Sequence, residues 1–176
     1  MARIPSKAAA VLAAAASTAL LSAPWASAST SSMSGTQTFV LTTRSTAANP
    51  VYQATATGVI TANGTMQATS TAASAPLKAV FPKGTFMINE ETPGKQSGTI
   101  NPSTCAAVYT DTGLKYKIND GTGSYKGISG SGTANLRFTG TLPRLSNGKC
   151  NESTNATPIS GTALSVVHAS GPVTLP

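Results

Sequence analysis

The chain has 176 residues, of which 10% are charged and 5% aromatic, and it contains 16 glycines and 11 prolines. This length suits one globular domain and is short for a two-domain enzyme. Few charges and frequent Gly and Pro exclude long salt-bridged helices and coiled coils, so the composition favours an all-β domain.

The N-terminal segment has the three parts of a secretory signal peptide. Arg3 and Lys7 precede an apolar run of 14 residues at 8–21, and small residues follow at 26–28. The run is shorter than the ~20 residues that a helix needs to cross a bilayer, and no comparable run occurs later. We therefore predict a cleaved signal peptide over 1–28, export to the periplasm, the cell envelope or the medium, and no membrane span in the mature chain.

The mature chain begins with a small polar segment and continues as one domain. Residues 29–36 read STSSMSGT, which offers too little apolar surface to offset the entropy of ordering it. We predict a flexible arm there and a single domain over 37–176. The ten Lys and Arg residues after position 28 are dispersed, whereas nucleic-acid recognition requires basic residues gathered on one surface. We therefore expect no nucleic-acid partner.

Cys105 and Cys150 are the only cysteines, and both lie in the exported part of the chain. An oxidising compartment normally pairs such thiols, and they lack the close CxxC spacing of a reactive pair. The sequence therefore predicts one disulfide between Cys105 and Cys150.

Alternating apolar and polar residues predict strands through most of the domain. The pattern is clearest at 114–118, where Leu114, Tyr116 and Ile118 would face a core while the intervening lysines face water. Asn63-Gly64 and the sequence Asn-Asp-Gly at 119–121 can supply the positive φ angles of hairpin turns. The expected connectivity is therefore a meander of hairpins.

This pattern gives ten candidate strands. The segment 65–75, which overlaps one of them, also contains enough Ala and Met to form a short helix. Eight to ten short strands can close into a barrel or stack as a sandwich, and composition does not separate the two. The candidates are residues 37–44, 54–61, 65–71, 77–81, 85–89, 98–101, 104–110, 114–118, 133–139 and 161–169.

The most distinctive segment is the run NDGTGSYKGISGSG at 119–132. The dinucleotide fingerprint GxGxxG fails because Lys126 stands where its third glycine belongs, and the segment that follows is patterned as a strand rather than a helix. The P-loop pattern is also absent. We predict that the glycines serve bends and close backbone approach and that no cofactor is bound. These structural glycines are Gly121, Gly123, Gly127, Gly130 and Gly132.

The part of this run that reads GTGSYKGISGSG resembles the GTGxYxGAxGxG signature of small secreted bacterial proteins related to allene oxide cyclase and, more distantly, to dirigent proteins. The resemblance extends to the preceding SGTINPSTCAAVYTDTGLKYKIND, to the flanking cysteines and to the final HASGPV. It implies a small closed antiparallel β-barrel of about eight strands whose lumen can hold an apolar molecule. The polar residues that surround a bound water in the plant cyclases have no residue-by-residue match here.

Catalytic residues are scarce in this sequence. His168 is the only histidine and shares a strand face with Leu164 and Val166, which could bring it to a barrel mouth, but a solvated strand-end position is favoured because no acid adjoins it. Glu90 and Glu91 are adjacent and would point to opposite faces of a strand. No serine-hydrolase elbow GxSxG and no metal-ligand cluster occurs, so we predict no metal.

The aromatic residues are spread over the predicted strands, as expected for a common interior. Tyr116 and Phe138, whose strands flank the glycine-rich turn, are the candidates for lining a lumen and contacting a small apolar ligand. The leading hypothesis is a secreted, disulfide-containing barrel that acts as a non-catalytic binding or surface-interaction protein. The alternatives are a cofactor-free cyclase or isomerase acting on a hydrophobic substrate, which would make the protein an enzyme, and a purely structural envelope protein.

Overall fold

The computed structural model describes residues 31–72, 75–153 and 156–176. The predicted signal peptide at 1–28 lies outside the described residues. Nine strands account for most of the described chain, with one turn of 3₁₀ helix at Gly123–Tyr125. The strands are β1 (Met33–Thr43), β2 (Val51–Thr57), β3 (Ala62–Ala68), β4 (Leu77–Phe81), β5 (Gly84–Thr92), β6 (Lys95–Ile100), β7 (Ala106–Asn119), β8 (Ser129–Thr141) and β9 (Leu164–Leu175).

The strands form an antiparallel sheet in the order β5-β4-β3-β2-β1-β9-β8-β7-β6, and β5 also pairs with β7. This extra pairing closes eight strands into a barrel, which confirms the predicted fold class. β6 continues beyond β5 after Pro93-Gly94 and pairs with the first half of β7, outside the closed ring. No helix in the described part of the chain is long and apolar enough to cross a membrane.

β7 shows how the alternating pattern sets the inside of the barrel. Tyr116 and Ile118 are buried, Leu114 is half-buried and the lysines between them are exposed, as predicted. The two strands predicted at 104–110 and 114–118 are one strand, because the chain continues through a register shift between Thr112 and Leu114 instead of turning. Gly113 sits at that shift with φ +76°, and its N–H donates a hydrogen bond to the Asn135 side chain. A bulge of this kind bends a strand without ending it.

The glycine-rich segment forms the turn between β7 and β8. Asp120 has φ +52° and Gly123 has φ +60°, and the 3₁₀ turn that follows places the Tyr125 side chain in the core. At Gly121 a Cβ atom would collide with the carbonyl oxygen of Tyr125. The segment therefore folds back tightly on itself, and Gly121 and Gly123 occupy positions that a residue with a Cβ atom would fit poorly.

Cys105 and Cys150 form a disulfide with a Cα–Cα distance of 5.4 Å. They are buried with Ala107 and Leu142 in a small second cluster, separate from the main core. The bond ties the start of β7 to the long connection between β8 and β9. A buried disulfide is consistent with the predicted export to an oxidising compartment.

Several element boundaries differ from those predicted. β1 begins at Met33, so 33–36 of the expected arm are paired with β9, and the Ser34 hydroxyl is 2.8 Å from that of Thr174. Backbone pairing orders these residues although their side chains bury little surface. The last strand runs to Leu175 rather than ending at 169, and residues 69–71, which were predicted to belong to a strand, follow the end of β3.

The hairpin turn predicted at Asn63-Gly64 is also misplaced. Both residues lie within β3, and the chain turns earlier, at Gly58, whose φ is +127°. Gly64 is required for another reason: a Cβ atom there would come within 2.6 Å of the Phe81 ring. The glycine lets an aromatic side chain from β4 cover the strand.

Candidate functional site

The two ends of the barrel are built differently. One end is filled by Phe39, Phe81, Phe86 and Tyr125, whose ring centroids lie 5.6–6.5 Å apart in the closest pairs. Beside them the fully buried Gln37 side chain donates hydrogen bonds to three backbone carbonyls, including that of Ile60, and accepts one from the Ile60 N–H. These side chains fill the lumen at this end, and a groove of about 390 Å³ lies outside them, against Val59, Lys83 and Tyr125.

A cavity of about 230 Å³ lies at the opposite end and is partly open to solvent. Its wall is formed by inward-facing residues near the ends of the strands and by two residues of the β3–β4 connection. Eleven of the lining residues are aliphatic: Leu41, Ala68, Ala72, Ala75, Leu77, Ile88, Leu114, Ala134, Leu136, Val167 and Ala169. The other three are Tyr52, Glu90 and Tyr116.

Side-chain size explains why the cavity lies here. An eight-stranded barrel is just wide enough for large side chains to fill its interior. Five of the lining positions are alanines, two of which, Ala134 and Ala169, face each other across β8 and β9. Three of the four phenylalanines, Phe39, Phe81 and Phe86, lie at the other end. The lumen is therefore solid at one end and hollow at the other.

Tyr116 is the most deeply buried polar side chain of the cavity. It is 2% exposed, and its hydroxyl has no hydrogen-bond partner among the described residues. Burial raises its pKa to about 12, so the hydroxyl keeps its proton at neutral pH. Gly132 lies opposite on β8, where a Cβ atom would come within 2.5 Å of the hydroxyl oxygen. The tyrosine fits because this neighbour has no side chain.

Tyr52 and Glu90 supply the remaining polar groups of the cavity. Burial raises the pKa of Tyr52, and a hydrogen bond with the Ser165 side chain partly offsets the shift. Glu90 lies directly opposite Tyr116 in the β5–β7 pairing, so both side chains belong to the inner face. Glu90 is exposed at the mouth and is the only charged residue that lines the cavity in the described part of the chain.

A second carboxyl group lies on the same face of the sheet, just beyond the cavity. Asp111 is 9% exposed and pairs with Leu136, a lining residue. Its Oδ2 accepts a hydrogen bond of 3.2 Å from Gln96, while its Oδ1 has no partner among the described residues. Its charge adds to burial in raising the pKa of Tyr109.

The residues singled out from the sequence are dispersed by the structure. Tyr116 lines the cavity, whereas Phe138 lies in a separate surface groove with Tyr109 and Leu142. His168 is exposed and pairs with Val40 and Asn135. Its strand neighbours Val167 and Ala169 face the cavity, so the imidazole belongs to the outer face. Ligand binding by Tyr116 and Phe138 stays a prediction.

Sequence reasoning missed Tyr52, Glu90 and Asp111 as site residues. The signal for Glu90 was present, because Phe86, Ile88 and Glu90 alternate along one face of β5. A carboxylate at the next inward-facing position after two apolar residues indicates that this position lies at the open rim of the barrel. In 31–72, 75–153 and 156–176, no three His, Cys, Asp or Glu side chains are grouped so as to hold a metal ion.

No family model, curated protein or solved structure matches the chain. The geometry of the cavity therefore carries the functional argument.

Proposed function

We propose that the protein is an exported binding barrel that takes one small apolar molecule into the cavity beside Tyr116. The observation that carries the proposal is the cavity itself, an open space of about 230 Å³ in which eleven of the fourteen lining residues are aliphatic. A small apolar ligand would cover this aliphatic wall and remove it from water.

The volume of the cavity limits the size of the ligand. At about 230 Å³ it is larger than the roughly 150 Å³ cavity that holds a benzene molecule. A single ring with a short substituent, or an alkyl chain of about eight carbons, is the size class that fits. Transfer of such a group from water into an aliphatic site is favourable by ~25 cal/mol for each Å² of apolar surface buried.

The sequence supports the proposal in two ways. The predicted signal peptide and the disulfide suit an extracellular or periplasmic location. The resemblance to proteins related to allene oxide cyclase implies a closed barrel of about eight strands with a ligand-sized lumen. We infer a distant relationship to that superfamily for the barrel alone, since fold similarity does not transfer an activity.

The two other hypotheses fit the cavity less well. A cyclase or isomerase would need a second polar group within hydrogen-bond reach of Tyr116 to move a proton, and no described residue provides one. A purely structural envelope protein would gain stability from a filled interior, whereas this barrel keeps a hollow end.

Calorimetric titration with 1-octanol tests the proposal. We expect saturable binding with one site. Ala68→Phe, which places a ring at the half-buried lining position 68, should reduce the affinity at least tenfold. Ala106→Phe is the matched control, because Ala106 is exposed on β7 and does not line the cavity. Equal affinity in the two variants would contradict the assigned site, and absence of saturable binding to the unmodified protein would contradict the proposal.

A further inference from the structure

Basic residues that are dispersed along the sequence are gathered on one face of the sheet. The outward positions of β6, β7, β8 and β9 carry four of the 12 Lys and Arg residues and the only histidine. All five side chains are exposed, and we call the surface that they share the basic face: Lys95, Lys115, Lys117, Arg137 and His168. Strand pairing, rather than the order of the chain, brings them together.

The register of the four strands sets the spacing of these cations. One row of successive partners crosses the strands: Lys95, Thr112, Asn135 and His168. Lys115 takes the next outward position of β7 on one side of this row, and Arg137 takes the next outward position of β8 on the other side. Strand geometry therefore places each cationic residue roughly 7–12 Å from the next. This spacing is close to the Debye length of about 8 Å at physiological ionic strength, so the fields of the cations overlap.

Acidic side chains do not neutralise the basic face from within. Asp111 is the only acid on the four strands, and its side chain is buried on the opposite face, where it accepts a hydrogen bond from Gln96. Glu91 lies at the border, since it adjoins Thr92, the partner of Lys115. Exposed hydroxyl and amide side chains lie between the cations: Ser97, Thr112, Ser131, Thr133, Asn135 and Ser170. The face thus combines positive charge with many neutral hydrogen-bonding groups.

These features distinguish between three kinds of large anionic partner. The exposed large apolar side chains of the described residues, such as Val51 and Leu145, lie outside the four strands, so the basic face has no anchor for a lipid bilayer. The aromatic residues of these strands alternate with the cations and belong to the opposite face, so the bases of a nucleic acid would find no ring to stack on. A polysaccharide with acidic groups needs neither, because its charges pair with Lys and Arg and its hydroxyls pair with Ser, Thr and Asn.

We propose that the basic face binds an acidic polysaccharide. The cations supply the attraction, and the hydroxyl and amide groups between them supply hydrogen bonds to the sugar rings. The inference does not rest on the cavity, which is lined by the inward side chains of the sheet.

Dextran sulfate and uncharged dextran share one backbone, and calorimetric titration of each into the purified protein at pH 7 and about 0.15 M NaCl tests the proposal. We expect saturable binding of dextran sulfate and no binding of dextran. Replacing Lys115→Gln together with Arg137→Gln should weaken the binding of dextran sulfate about tenfold. Lys78→Gln together with Lys149→Gln is the matched control, because it removes the same charge at exposed positions outside the basic face. The control should change the affinity by less than about twofold.

Four results would overturn the inference. They are absence of binding to dextran sulfate, equal binding of dextran, equal weakening by the two double variants, and tighter binding of phosphatidylglycerol vesicles or duplex DNA than of dextran sulfate. Equal weakening would show general charge attraction, and tighter binding of vesicles or DNA would assign the face to a different class of partner. Thermal unfolding of each variant verifies that the barrel remains folded. Ala68→Phe should leave the binding of dextran sulfate unchanged, so the cavity and the basic face are tested separately.

Discussion

The two ends of the barrel use the same strands and opposite packing solutions. At the filled end, large aromatic side chains meet in the lumen and Gln37 satisfies both of its polar atoms with backbone groups. At the hollow end, alanines occupy equivalent inward positions and the Tyr116 hydroxyl has no partner among the described residues. Closure of the sheet therefore does not decide whether the barrel is solid.

Under the proposed function, this difference assigns stability to one end of the domain and binding to the other. Dense packing and satisfied polar groups stabilise a fold, whereas a cavity and an unpaired hydroxyl reduce its stability. Binding sites commonly retain such local costs. The filled end should therefore dominate the free energy of unfolding, while the hollow end should dominate the response to ligands.

Truncation of a core aromatic gives the largest contrast between the ends. Phe86→Ala removes a fully buried ring that contacts Phe39, Phe81 and Tyr125, and it should lower the free energy of unfolding by about 3–5 kcal/mol. Leu136→Ala, at a half-buried position of the cavity wall, should cost only ~1 kcal/mol, because space already surrounds the side chain. Urea unfolding measures both values. Equal losses would show that the ends contribute alike.

Loss of the Gln37 hydrogen bonds should have the next largest effect. Gln37→Leu preserves the approximate volume but leaves the buried N–H and C=O of Ile60 without their side-chain partner, at a cost of about 2–3 kcal/mol. Gln67→Leu is the control, because Gln67 is exposed and makes a single hydrogen bond to the Asn49 carbonyl. Its effect should stay within about 0.5 kcal/mol. A small effect of Gln37→Leu would mean that water replaces the lost partner.

Local sequence patterns predicted the strands, the inward face of β7 and the disulfide. Each of these depends on neighbours along the chain or, for the cysteines, on the absence of other partners. The cavity depends instead on Ala68, Ala134 and Ala169, which come from three strands and come together in one wall only when the barrel closes. No local pattern in the sequence shows that these three residues will be neighbours.

The outward position of His168 shows a second limit. The residues 164–169 read LSVVHA, in which either set of alternate positions contains apolar side chains. Periodicity therefore could not decide which set faces the lumen. The register with Leu136 and Ala134 on β8 decides it in favour of Val167 and Ala169, and that register follows from strand pairing rather than from the sequence of β9.

The free energy of unfolding at alkaline pH should depend on the buried tyrosines of both ends. Burial raises the pKa of Tyr116 to about 12 and raises that of Tyr125 above its usual value. Since an unfolded tyrosine ionises near pH 10, the folded state binds more protons than the unfolded state above that pH. Stability is therefore fully present below about pH 10 and is lost as the pH rises towards 12. Tyr116→Phe should make this loss less steep when urea unfolding is repeated at each pH, and an unchanged slope would contradict the burial of the hydroxyl.

The smallest effect should be the most specific, because its sign differs between two tyrosines of the same cavity. Tyr116→Phe removes an unpartnered hydroxyl and should raise the free energy of unfolding at pH 7 by about 1 kcal/mol. Tyr52→Phe removes a hydroxyl that is hydrogen-bonded to Ser165 and should lower it by a similar ~1 kcal/mol. Urea unfolding of the two variants at pH 7 measures both values, and destabilisation by Tyr116→Phe would show that the hydroxyl already has a partner within the folded protein.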